Sequence, residues 1–201
     1  MKKYLLWFIA AQILFLFACE SASEPEAPVE YSLDITNAGL SFAPLGVPLD
    51  SLDLPVGSTI EEVLNTEGGY QWRAMNVFLP NGEKAIIEGD FVDEGDPGDK
   101  LPTSAVNRVL VDGPEYVSPE GIRVGQSLSD LKNTFGDSSL VAVYIADYQS
   151  IDVFAPGVNR LHFNLSDPSR SVAKAARDST KEVPLDIIPE ESKIVSIVVS
   201  F

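Results

Sequence analysis

Val56-Gly57-Ser58-Thr59-Ile60-Glu61-Glu62-Val63-Leu64-Asn65 is echoed 68 residues later by Val124-Gly125-Gln126-Ser127-Leu128-Ser129-Asp130-Leu131-Lys132-Asn133, and the same offset carries Gly68 onto Gly136. Val, Gly and Asn are identical at matching positions, and Thr/Ser, Ile/Leu, Glu/Asp and Val/Leu are close exchanges. Similarity at a fixed offset is the mark of a duplicated unit. In each copy a hydroxyl residue stands three before an acid, Thr59 with Glu62 and Ser127 with Asp130. At that spacing side chain and backbone cap each other at a helix start. Ile60, Val63 and Leu64, like Leu128, Leu131 and Phe135, then share one helical face. Gly68 and Gly136 suit the left-handed residue that ends a helix. Helices of two or three turns are marginal alone, so each is expected to pack onto something larger.

That larger element reads as sheet. Trp72 to Leu79 and Ala85 to Phe91 flank Pro80-Asn81-Gly82, and Asn-Gly between apolar runs is a strong hairpin signal. Further strands are expected at Val109 to Asp112, Leu140 to Ala146, Ile151 to Phe154, Arg160 to Leu165 and Ile194 to Phe201. The expected fold class is α+β: two tandem units, residues 31–112 and 113–201, each a short capped helix followed by an antiparallel β-meander. Two stretches stand outside the pattern. Glu88 to Asp99 holds six acids in twelve residues with interspersed Gly and Pro, and reads as a solvated loop. Ser166 to Glu191 is polar and reads as a long excursion before the last strand.

The chain begins with a separate signal. Lys2 and Lys3 precede Tyr4 to Ala18, in which only Gln12 is polar, and then comes Cys19, the sole cysteine. Residues 1–18 therefore read as a secretory signal peptide, and a single cysteine excludes an intrachain disulfide. The net charge is -16 over 201 residues. The part after residue 18 carries 12 basic against 30 acidic residues, a balance that phosphate backbones repel, so nucleic acid is not an expected partner. Leu16-Phe17-Ala18-Cys19 resembles the bacterial lipobox, with Phe17 in place of the usual small residue. The resemblance implies a diacylated Cys19 as new N-terminus, with the membrane a partner through that lipid anchor. Two or more acyl chains make such attachment long-lived. Residues 19–30, with Glu20, Glu24, Glu26 and Glu30, would be the lipidated Cys and an acidic flexible tether reaching ~35 Å at most. Glu20 and Glu24 also resemble the signal that exports lipoproteins to the outer face of the outer membrane in some Gram-negative groups. The expected location is thus the bacterial cell envelope, with the outer membrane favoured.

Tyr116-Val117-Ser118-Pro119-Glu120-Gly121-Ile122-Arg123 running into the second copy, with Phe135-Gly136 and Lys193-Ile194-Val195-Ser196-Ile197, looks like a motif of uncharacterised bacterial lipoproteins and envelope proteins. The glycine, capped helix, glycine and meander also resemble the two-repeat β-lactamase-inhibitor-protein fold and the small lipoprotein of the outer-membrane assembly machine. Neither resemblance implies catalytic residues. Asp50-Ser51-Leu52 and Asp178-Ser179-Thr180 match the short O-glycosylation sequon of some envelope proteins, which would modify Ser51 or Ser179.

Catalysis needs a base, a nucleophile or a metal held in a cleft. No Gly-x-Ser-x-Gly elbow, His-Glu-x-x-His pair, P-loop or dinucleotide fingerprint occurs, and no cofactor is expected. His162, the only histidine, alternates with Arg160 and Asn164 and reads as an exposed strand residue. In the acidic loop Asp93, Asp96 and Asp99 offer hard oxygen ligands, but their spacing departs from the EF-hand, so no metal is expected. Tyr70, Trp72, Tyr144 and Tyr148 are candidates for an interaction face, since aromatics are enriched at binding hot spots. The expectation is a non-enzymatic cell-envelope lipoprotein, a binding or interaction module for an envelope or extracellular protein or ligand. The alternatives are a proteinaceous inhibitor of an envelope enzyme that probes with the acidic loop, and a cryptic hydrolase using His162.

Overall fold

The computed structural model describes residues 31–93, 95, 104–145, 150–155, 160–166, 172 and 182–201. Its strands are β1 (Gly39–Leu40), β2 (Ala43–Pro44), β3 (Thr59–Glu67), β4 (Tyr70–Phe78), β5 (Lys84–Gly89), β6 (Val92–Asp93), β7 (Val106–Val111), β8 (Val141–Ile145), β9 (Ser150–Phe154), β10 (Leu161–Ser166), β11 (Glu182–Val183) and β12 (Ile194–Ser200). Helix α1 (Leu128–Phe135) is the α-helix whose bounds fall within the described residues. β1 and β2 make a small ribbon. The other ten strands share one antiparallel sheet in the order β11-β8-β9-β10-β12-β7-β5-β4-β3, with β6 continuing beside β4. Tyr31–Phe201 forms one compact unit, because β12 pairs with β7 as well as with β10. Among the described residues no helix is long and apolar enough to cross a membrane.

The tandem helix-and-meander units expected from the sequence do not form. The 68-residue offset lays strand β3 on helix α1, so the two similar stretches adopt different structures. Both begin alike, with Gly57 at φ +88° and Gly125 at φ +90°. They diverge at the residues that follow. Thr59, Ile60, Val63 and Thr66 are β-branched, which disfavours helix and favours strand. Gly68-Gly69, at φ +60° and +85°, is the two-residue turn that joins β3 to β4 in register Glu67↔Tyr70. Two successive positive φ angles are what a tight hairpin of this hand requires, so Gly68 turns a hairpin rather than ending a helix. The second stretch has one β-branched residue, Thr134, within α1. Its capping box is complete: the Asp130 N–H donates to Ser127 Oγ (3.3 Å) and the Ser127 N–H donates to Asp130 Oδ2 (2.7 Å).

One face of the sheet carries the core. Val77, Ala85, Ile87, Val109, Val111, Ile197, Val199, Phe163, Ile151 and Val153 project there and are fully buried. Leu128 and Leu131 of α1, with Tyr116, Ile122, Ile35 and Leu49, cover them. Each valine, leucine or isoleucine among them contributes ~1.5–3 kcal/mol by leaving water. The Asn81-Gly82 hairpin forms as its sequence indicates, with Phe78 opposite Lys84. Register shifts interrupt the ladder between Glu88 and Gly89 and between Asn164 and Leu165. Such bulges bend a strand and re-aim the side chains beside them.

The two stretches separate in a stability measurement. Ser127→Ala should lower the urea unfolding free energy by ~1 kcal/mol through loss of a cap. Thr59→Ala, on exposed edge strand, should change it by less than ~0.5 kcal/mol. Equal losses would mean that Thr59 caps a helix after all.

Candidate functional site

The face opposite the core is open, and the same alternation that builds the core builds it. On β9, Ser150, Asp152 and Phe154 point there, and on β10, His162 and Asn164 do so. Asn164 lies directly opposite Asp152, and His162 opposite Phe154 and Val198. From β7 come Arg108 and Leu110, from β12 Val195 and Val198, and from β8 Ile145. Together these residues line a cleft of about 350 Å³ that runs across five strands.

Arg108 ties the cleft to polar groups beside it. Trp72 Nε1–H donates to Glu88 Oε1 (3.2 Å), and the other carboxylate oxygen of Glu88 binds the Arg108 guanidinium. Glu88 is buried, so the Arg108 pairing supplies the compensation an interior carboxylate needs. His162 Nε2 is 3.6 Å from Asp152 Oδ2, and its ring stands 5.0 Å from that of Phe154 at 30°. Burial pushes the His162 imidazole down to about 4, and the positive Arg108 pushes the same way. Burial raises the Asp152 carboxyl to about 6, against the pull of the Ser150 hydroxyl and Arg108. At neutral pH a neutral imidazole therefore faces an ionised carboxylate. Asp152 Oδ1 and Asn164 Oδ1 are buried without a hydrogen-bond partner. An acceptor left so costs ~1–3 kcal/mol.

His162 is thus not the exposed residue its sequence position suggested: its side chain is 13% exposed. The alternation assigned the face correctly, but the curvature that walls the face lay beyond it. Asp152 and Arg108 were not singled out by sequence, and Glu88, expected to open the solvated acidic loop, is instead buried on β5, where it pairs with Arg108. Polar residues at alternate positions of neighbouring antiparallel strands were the available signal for Asp152. Arg108 is three strands away from β9, a proximity only the strand order creates.

The four aromatic candidates do not converge. Tyr70 is 55% exposed on β4, whereas Trp72 is buried beneath the open face, 4.8 Å from the Phe91 ring. Tyr144 points to the other face, packs against the core and stands six strands away, while Tyr148 lies outside the described residues. Asp93 is exposed and accepts the Gly95 N–H at 2.8 Å; Asp96 and Asp99 lie outside the described residues, as do Cys19, Glu20, Glu24 and Ser179. Ser51 is exposed in a short 3-10 turn.

With known proteins the likeness is one of fold. A crystal structure of the uncharacterized protein yfeY from Escherichia coli matches with a TM-score of 0.55 at 17% sequence identity, covering 84% of this chain and 99% of that chain. No family model matches the sequence, and no curated protein does.

The buried pair makes stability depend on pH with opposing slopes. His162, lowered when folded, takes its proton in the unfolded chain first, so it removes stability as pH falls from its unfolded value near 6.5 to about 4. Asp152, raised when folded, adds stability as pH falls from about 6 toward its unfolded value near 3.8. Each slope amounts to ~3 kcal/mol. His162→Gln removes the destabilising one. Between pH 7 and 4.5 the variant should gain ~2–3 kcal/mol relative to wild type, read from urea midpoints at each pH. Parallel curves would show that His162 is not held neutral by burial.

Proposed function

We propose that the protein is a non-enzymatic lipoprotein of the bacterial cell envelope, held at a membrane by acyl chains on Cys19, whose open sheet face binds an extracytoplasmic ligand. The observation that carries the binding reading is the cleft: apolar walls, two buried acceptors and, among the described residues that line it, no hydroxyl placed against the histidine. Ser150 is four residues along β9 from Phe154, the residue opposite His162. That places its backbone ~13 Å from the histidine's position along the strand. A serine activated by histidine needs hydrogen-bond reach, ~2.6–3.2 Å. Asp152 lies between them, bonded to the Ser150 hydroxyl and 3.6 Å from His162 Nε2, which keeps the serine away from the imidazole.

The membrane part of the reading is supported by the leader. A basic start, an apolar run ending at Ala18-Cys19 and an acidic stretch beginning with Glu20 fit processing at a lipidated cysteine. Glu20 and Glu24 favour the outer membrane. Anchoring of this kind asks nothing of the sheet, which leaves the open face available.

Cells fed radiolabelled palmitate should label the wild-type chain and not Cys19→Ser. The variant should also move from the membrane to the soluble fraction. An unlabelled wild-type chain would overturn the anchored reading.

A further inference from the structure

We propose that the cleft on the open sheet face is a site for a small organic cation, a primary ammonium group carried on a short apolar body. The inference deepens the binding reading given above and rests on it.

Three features of the cleft lead there. First, its unsatisfied groups are acceptors. Asp152 Oδ1 and Asn164 Oδ1 are buried and unpartnered, and the two residues are directly opposed on β9 and β10. Opposed residues of antiparallel strands hold their Cβ atoms ~4.5–5.5 Å apart. An ammonium group has three N–H donors and no acceptor, so one head group can satisfy both oxygens.

Second, the charge is unbalanced in one direction. The Arg108 guanidinium is engaged by Glu88, whose second oxygen holds Trp72. His162 is neutral above about pH 4 because of its burial and the nearby Arg108. The ionised Asp152 feels the pull of Arg108 but is not bonded to it, since that guanidinium pairs with Glu88, and the chain carries a net charge of -16. An anionic ligand would meet repulsion and leave both acceptors unpaired. A cation reverses both defects.

Third, apart from Ser150 the rest of the wall is apolar. Leu110, Ile145, Val195 and Val198 come from three strands and contain no polar side-chain atom. A fully hydrated inorganic cation gains nothing from them. A hydrocarbon body does, because removing its surface from water is favourable in proportion to the area buried. The volume of about 350 Å³ falls in the range of small-molecule sites, ~300–1,000 Å³.

Butylammonium and its neutral analogue butanol are the probes, titrated by calorimetry into the full-length protein in neutral detergent. Binding is located by the backbone amide shifts of β9 and β10. The ammonium should bind at least ~10-fold tighter than the alcohol, the difference a charge-assisted contact makes. Groups facing Asp152 are Ser150 on its own strand, His162 on β10, Arg108 with Glu88 on β7 and β5, and Glu182 of β11 in the same cross-strand row. Asp152 takes its proton near pH 6 while His162 stays neutral to about 4. Ammonium affinity should therefore fall ~10-fold between pH 7.5 and 5, and butanol affinity should not. Asp152→Asn, with circular dichroism unchanged, should remove the preference for the ammonium.

Equal affinities for the two probes, a flat pH profile, or an unaltered preference in a folded Asp152→Asn would each overturn the assignment. So would the absence of binding at millimolar concentration. If Asp152→Asn fails to fold, the two wild-type comparisons decide alone. Failure here with normal palmitate labelling removes the cation site and leaves the anchored reading standing. Failure of labelling with a selective ammonium site does the reverse.

Discussion

The pairing of β12 between β10 and β7 is the constraint on which the rest depends. The last strand of the chain supplies Ile197 and Val199, both fully buried, and hydrogen-bonds to both halves of the sheet. Val199 faces Val109, a partner far back in the sequence. Contacts of such separation carry a loop-closure cost that local elements do not, so assembly of this sheet waits for nearly the whole chain. The cleft inherits the dependence, because Val198 and Leu110 meet in it only where β12 lies against β7.

The two faces of the sheet obey different physics. On the core side, aliphatic residues are packed to exclusion of water, and volume decides what is tolerated. On the open side, burial is incomplete and polar residues are half-withdrawn from water, so electrostatics decide. Glu88 is the hinge of that side. By engaging Arg108 it holds that guanidinium in an ion pair of its own, so that Asp152 feels its charge without bonding to it, and by accepting from Trp72 it fixes an aromatic against the sheet. A carboxylate, a neutral imidazole and two unsatisfied oxygens are left together behind apolar walls. The two register shifts fall beside Glu88 and Asn164, where the strands must bend to form such a trough.

Much of the strand content was legible. Asn81-Gly82 between apolar runs announced its hairpin, and the alternation at β9, β10 and β12 was read at nearly the observed positions. The stretch from Thr59 to Glu67 was not, because its spacing of Thr59, Glu62, Ile60, Val63 and Leu64 satisfies a capping box and a helical face at once. Its β-branched content and the Gly68-Gly69 pair carried the decisive information. With Ile60 51% and Leu64 57% exposed, two of the three apolar residues that suggested a packed helix face stand largely in solvent, and Val63 is only partly buried. A short amphipathic pattern is ambiguous when the partner strand can satisfy the backbone equally well. The candidate site was less legible still. His162 and Asn164 were placed on one face, but Asp152, Glu88 and Arg108 come from strands whose neighbours only the topology names.

By itself the sequence determined the properties that depend on neighbours in the chain: the apolar run from Tyr4 to Ala18 before the single cysteine, the acidic charge balance, the Ser127 and Asp130 cap, and which residues alternate. These are local because helix caps, turns and side-chain alternation act over a few residues. Only the tertiary structure decided that β12 joins the two halves, that β3 is a strand, and that a histidine and a carboxylate sit withdrawn from water near a paired arginine. Those outcomes turn on strand order and curvature, which arise from pairings between residues distant in sequence and leave no periodicity to read.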